Sequence, residues 1–209
     1  ARDAASPEEF ARALQKLGGT TDRDLPPTAD VAAGAKDNDA LFDALREALE
    51  ELDPAEAVPP RWGEASPHFY AVLCYLAACE AREVEPSETC DANIAAFIGS
   101  YKPSWSGGYF EDYHDRLQQL LATVPQDRLE PMFLKASKTP WLLLGACKTP
   151  KVITWAIGRL ADPPKDEVSD YYFESHAGLG LNNLGAEAVP EIAKNLSGPH
   201  RSMLVGHLA

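Results

Sequence analysis

Apolar residues recur along this chain at intervals of three and four, the spacing of one face of an α-helix. Leu41, Phe42, Leu45, Leu49 and Leu52 form one such stripe, which predicts an amphipathic helix over residues 38–52. Phe10, Leu14 and Leu17 predict an earlier helix. It opens at the capping box Ser6-Pro7-Glu8-Glu9 and stops at Gly18-Gly19. Ser66-Pro67 opens a third helix, running to residue 83. It carries Phe69, Tyr70, Leu73, Leu76 and Ala77, and that apolar content predicts a central place in the first half. Further helices are predicted over 89–100, with Ile94, Phe97 and Ile98 inward, and over 109–123, with Tyr113, Leu117, Leu120 and Leu121 inward. Residues 20–37 and 53–65 are polar and rich in breakers, and read as loops or linkers. No period-2 run of β-branched residues bounded by turns is present, so the fold class expected is all-α.

The last third is punctuated differently. Thr139-Pro140 and Thr149-Pro150 each place a hydroxyl before a proline. The hydroxyl accepts an orphan backbone N–H, and proline at the first helical position loses no hydrogen bond. Gly198-Pro199 does the same with a weaker cap, and Pro190 falls in the first turn of a helix starting near Ala186. Three helix pairs follow: 127–137 with 140–147, 150–161 with 168–185, and 187–197 with 199–209. The first helix of each pair offers apolar anchors: Leu129 and Phe133; Val152, Trp155 and Ile157; Val189, Ile192 and Leu196. The second carries an aliphatic-glycine step: Leu144-Gly145, Leu179-Gly180 and Val205-Gly206. Glycine inside a helix costs about 1 kcal/mol against alanine, which close packing would offset. Hairpins that cannot bury their own apolar faces predict stacked helical hairpins, an α-solenoid, with an irregular helical domain as the alternative.

The most repeat-like pieces are LNNLGAEAVPEIAKNLSGP, residues 181–199, and LGACKTPKVITWAIGRLADP, residues 144–163. They resemble a HEAT-type α-helical repeat over the last third of the chain. The irregular spacing between copies departs from that family. The resemblance implies a non-catalytic scaffold that binds a protein partner along an extended surface. The expected organisation is an N-terminal helical region, 1–125, and HEAT-like repeats, 126–209, in one continuous domain. The missing initiator Met, and Leu204, Val205 and Leu208 still in helical register at the last residue, lead us to expect a larger parent protein.

Composition narrows the function. Hydrophobic content of 45% and charged content of 24% are those of a globular protein. The net charge is −13. Gripping phosphates needs clustered Lys and Arg, and no basic stripe is visible, so nucleic acid is not an expected partner. The acidity favours solubility or a basic protein partner. An alternative function follows: an acidic inhibitor or immunity-type protein occupying a basic active site. No run of about 18 apolar residues predicts a membrane span, and ARDAASPEEF is not a signal peptide. Cys74, Cys79, Cys90 and Cys147 form no CxxC pair. They are read as free thiols of a reducing, cytoplasmic compartment, with a Cys79–Cys90 bridge as the lesser alternative.

Candidate chemistry is sparse. Glu111, His114 and Asp115 lie at i, i+3 and i+4 of a helix and share a face, a geometry that could hold a metal ion. A helical metal-dependent enzyme built on them is a further alternative. The preferred reading is a charged first turn complementing the helix dipole, because no second motif supplies more ligands. The candidate binding residues are aromatic: Trp62 in PPRWGE, Trp105 and Tyr109 in PSWSGGYF, and Tyr172 in the run from Tyr171 to His176. Loop aromatics are common anchors for partners; packing against a neighbouring helix is the competing reading. No phosphate-cradling glycine motif appears, and neither Ser106 nor Ser202 has a nucleophile-elbow context. No catalytic residue and no cofactor is expected.

Overall fold

The spacing of apolar residues is realised as helix after helix. The computed structural model describes residues 28–57, 67–101, 110–163, 165 and 173–194, and among them no strand occurs. In chain order the helices are α1 (Thr28–Lys36), α2 (Asp39–Glu50), α3 (Pro67–Arg82), α4 (Asp91–Ser100), α5 (Phe110–Leu121), α6 (Gln126–Leu134), α7 (Pro150–Ala161), α8 (Phe173–Leu184) and α9 (Val189–Lys194). Short 3-10 turns occupy Pro54–Glu56, Glu88–Cys90, Trp141–Ala146 and Gly185–Ala188. The chain is all-α.

Local chemistry sets the helix ends. Asn38 Oδ1 accepts from Leu41 N–H at 3.1 Å and starts α2, which buries Ala44, Leu45, Ala48 and Leu49. Thr149 caps Val152 N–H at 3.4 Å with Pro150 next, as the Thr-Pro pair predicts. After α8, Gly185 takes the left-handed backbone (φ 67°) that ends a helix at little steric cost.

Two segments differ from expectation. Residues 20–37 were expected as a loop, yet 28–36 form α1. The stretch TADVAAGAK holds four alanines, the strongest helix formers. Ala32 and Ala35 are buried, and α1 packs on α3. Tertiary contact overrides the neighbouring breakers. Residues 140–147 were expected as the second helix of a pair; 141–146 form a tighter 3-10 segment. Trp141, Leu142, Leu143, Leu144 and Ala146 are all buried there, so a segment apolar on every side leaves no solvent face to set a 3.6-residue period.

One hydrophobic cluster runs without a break from Ala32 to Ile192. In the first half its axis is α3. Every residue from Ala71 to Cys79 is at most 2% exposed, and α1, α2, α4 and α5 pack around it. In the second half the axis is Trp141–Ala146, flanked by α5 and α8, while α6 packs on α4 and on α7, and α9 packs on α7. Buried polar groups fix the register. Asn93 Nδ2 donates to Leu49 O at 2.6 Å, and His68 Nε2 lies 3.1 Å from Asn93 O, tying the end of α2 to α3 and α4. Arg128 engages both carboxylate oxygens of Asp91 and donates to Pro86 O at 2.8 Å, locking α6 onto α4. Among the described residues no helix is long and apolar enough to cross a membrane. Cys74, Cys79, Cys90 and Cys147 are buried free thiols, so Cys79 and Cys90 are not bridged.

Candidate functional site

Of the aromatic candidates, Trp62, Trp105, Tyr109 and Tyr172 lie outside the described residues. The backbone of Glu111 lies in the first turn of α5; its side chain is outside the described set. The other two members of that trio part company. His114 is only 8% exposed and points into the protein, whereas Asp115 is exposed. Among the described residues no three His, Cys, Asp or Glu side chains come together where they could hold a metal ion.

What the fold does build around His114 is a buried polar cluster. Tyr101, the residue that ends α4, reaches across to α5 and places its hydroxyl 2.8 Å from His114 Nδ1. The two rings meet edge to face, with centroids 6.0 Å apart. His176, at the end of the first turn of α8, is also buried. Burial first, and His176 second, push the His114 pKa down to about 4. Burial likewise raises the Tyr101 hydroxyl above its ordinary value. Both groups are therefore neutral at pH 7. Trp141 packs edge to face on Phe173 at 6.0 Å, and its indole N–H is buried with no hydrogen-bond partner among the described residues.

The backbones beside this cluster approach closely. A Cβ on Gly180 would stand 2.6 Å from Trp141 O, and one on Gly145 would fall on the Gln118 amide, 1.7 Å from its Oε1. The close approach expected at these two aliphatic-glycine steps is present. Gly206 lies outside the described residues. His176 was named from sequence only as part of an aromatic run, and Tyr101 was not singled out. Nothing local marks either, because their meeting with His114 depends on three elements distant in the chain.

The second feature is electrostatic. Residues 1–100 hold 20 Asp and Glu against 8 Lys and Arg, whereas residues 101–209 hold 12 against 11. Nearly all the net charge therefore resides in the first half. In the structure the outer side of α2 exposes Asp39, Asp43, Glu47, Glu50 and Glu51, and the connector after α3 exposes Glu83, Glu85 and Glu88. Arg46 pairs with Asp43 and Glu50, and Arg82 with Asp39. Glu47, Glu51, Glu83 and Glu85 form no ion pair among the described residues. Thr89, on the connector, hydrogen-bonds Glu50, which brings the two acidic segments side by side.

Compared with known proteins, the chain matches no family model, no curated protein and no solved structure.

Proposed function

We propose that this chain is a non-catalytic helical-repeat module that binds a basic protein partner, with the acidic outer side of α2 and the connector 83–88 as its contact surface. The observation that carries this reading is the lopsided charge: carboxylates concentrated on one half, with few cations to neutralise them. Such a field steers a cationic partner and rejects nucleic acid and anionic membranes. The HEAT-like character of the last third fits a module whose second half is support and whose first half makes contact. The four thiols fit a reducing compartment, and we place the module in the cytoplasm.

The test is charge reversal. Glu47, Glu51 and Glu85 changed together to Lys leave every described ion pair intact, so the fold is expected to survive. Proteins captured by the wild-type chain from a cell lysate are identified and purified, and their affinity is measured at low and high salt. The reading expects affinity to fall at least about tenfold in the triple variant, and to fall steeply with salt in the wild type. Equal affinity of the two forms, or salt-independent binding, removes it.

A further inference from the structure

We propose that the acidic surface of one copy of this chain docks on a cationic face of the next, formed by α6 and α7, so that copies associate head to tail. The inference rests on the acidic contact surface proposed above and names a second copy as its basic partner. Charge is uneven within the second half as well. Residues 126–165 hold 7 Lys and Arg against 3 Asp and Glu. Of the three carboxylates, Glu130 is bound to Lys151 at 2.7 Å. Of the seven cations, Arg128 is bound to Asp91, while Lys135, Lys148, Lys151 and Lys165 are exposed. Two cross-links lay α6 and α7 side by side. Lys151 Nζ donates to Glu130 near the start of α7, and Arg159 Nη2 donates to Ser137 O at 3.0 Å just beyond the end of α6. The Arg159 guanidinium lies over the Trp155 ring, 5.5 Å from its centroid. Positions 151, 154, 155, 158 and 159 are spaced to share one side of α7. Lys151, Thr154 and Gly158 are exposed there, and Trp155 is half-buried. Gly158 leaves a gap on that side, because a Cβ would meet nothing within 4 Å. A helical glycine with open space beside it leaves room for another surface to come close.

The acidic surface has the matching form. Val84 is 42% exposed, one of two large apolar side chains so placed among the described residues. It stands between the exposed Glu83 and Glu85, with Glu88 exposed further on. Its N–H donates to Cys79 O at 3.0 Å, and Glu83 before it takes a left-handed backbone (φ 55°), so the end of α3 fixes its position. An apolar side chain rimmed by carboxylates therefore answers an aromatic side chain rimmed by cations. Within one molecule the two surfaces are kept apart. α2 packs on α1 and α3, α7 packs on α6 and α9, and α4 lies between α3 and α6. Only a second molecule can bring them together. The net charge of −13 makes two copies repel. That repulsion acts at long range and is screened beyond about 8 Å at physiological ionic strength, whereas the facing side chains touch. Because the two surfaces differ, each copy keeps one of them free after pairing, and further copies can add.

The test is sedimentation of the purified chain alone, from micromolar to millimolar concentration, at physiological ionic strength and in high salt. The wild type is expected to grow in mass with concentration, and to do so less in high salt. Two variants divide the interface, and neither touches a described ion pair. One carries Glu47→Gln, Glu51→Gln and Glu85→Gln on the acidic surface; the other carries Lys135→Gln and Gly158→Gln on the cationic face. Each alone is expected to associate at least about fivefold more weakly. Mixed, each supplies the surface the other lacks, so one-to-one pairs form and do not grow. A wild type that stays monomeric throughout overturns the proposal, and the acidic surface is then judged by the captured partner alone. Association weakened by the acidic variant and unchanged by the cationic one overturns the docking on α6 and α7 and leaves the acidic surface standing. Association unchanged by the acidic variant overturns both. Should the double cationic variant not fold, Lys135→Gln alone is measured in its place.

Discussion

The two halves of this protein solve the same packing problem by different means. Around α3 the core is made of side-chain volume: Leu73, Tyr75 and Leu76 fill the space between four surrounding helices. Around Trp141–Ala146 it also depends on close approach at two glycines, to the Trp141 backbone at Gly180 and to the Gln118 side chain at Gly145. The first half is strongly acidic in sequence and buries His68 and Asn93; the second is nearly neutral and buries His114 and His176. A core built on volume fails when volume is removed. A core built on close approach fails when volume is added.

The largest expected effect tests the first half. Leu76 is fully buried at the centre of α3. Leu76→Ala is expected to cost about 2–5 kcal/mol by urea denaturation, the lost transfer energy plus an unfilled cavity. A cost below 1 kcal/mol would mean that the surrounding helices can collapse onto the gap, and that the volume account is wrong. The mirror experiment belongs to the second half. Gly180→Ala adds one carbon, yet that carbon meets the Trp141 carbonyl, which is backbone and cannot swing aside. We expect a loss of about 2–3 kcal/mol. Gly145→Ala is expected to cost less, because the Gln118 side chain it strikes can move. If Gly180→Ala were neutral, the contrast between the halves would be lost.

Acid acts on both halves through buried histidine. Burial lowers the pKa of His68 in the first half as well as that of His114 in the second. Each is neutral in the fold and takes up a proton on unfolding, so stability is full above pH 6.5 and falls below it. For His114 the slope approaches about 1.4 kcal/mol per pH unit between pH 6.5 and about 4; His68 adds to it in the same direction. Chemical denaturation at several pH values is expected to show a shallower slope in His68→Gln and in His114→Gln than in the wild type. An unchanged slope would mean that neither imidazole is held neutral. A smaller effect is expected from Asp91→Ala, which removes the partner of Arg128. The pair is partly exposed, so solvent limits the loss to about 1–2 kcal/mol, read as a lowered Tm.

Much of the fold was legible because amphipathic helices write their own period. The stripe Leu41 to Leu52 and the Thr149-Pro150 cap appear in the structure as predicted, to within two residues. Where the period fails, so does the reading. α1 was missed because its inward face is alanine, too small to stand out against Pro26, Pro27 and Gly34. The 141–146 segment was misjudged because it is apolar all round. The buried cluster was barely legible: His114 was named only in the less favoured reading, a metal site shared with Glu111 and Asp115 at i, i+3 and i+4, of which the last two positions are adjacent. In a helix those positions stand about 100° apart, and here one faces the core and the other the solvent. The charge was visible as a total from composition; its placement on α2 and the 83–88 connector needed the fold.

The smallest effect is the most discriminating, because its sign is opposite. Gly158 sits in the middle of α7 on the exposed side, and a Cβ there would meet nothing within 4 Å. Unlike Gly145 and Gly180, it serves no close approach that the structure describes. Glycine in a helix interior costs conformational entropy that alanine does not. Gly158→Ala is therefore expected to stabilise the isolated chain by about 0.5–1 kcal/mol, measured as a raised denaturation midpoint with an unchanged slope. The same substitution, one carbon added to a helical glycine, thus lowers stability at 180 and raises it at 158. Should both lower it, glycine in this protein would be set by backbone conformation rather than by what stands next to it, and the account of the second half as a core closed by backbone contact would have to be given up.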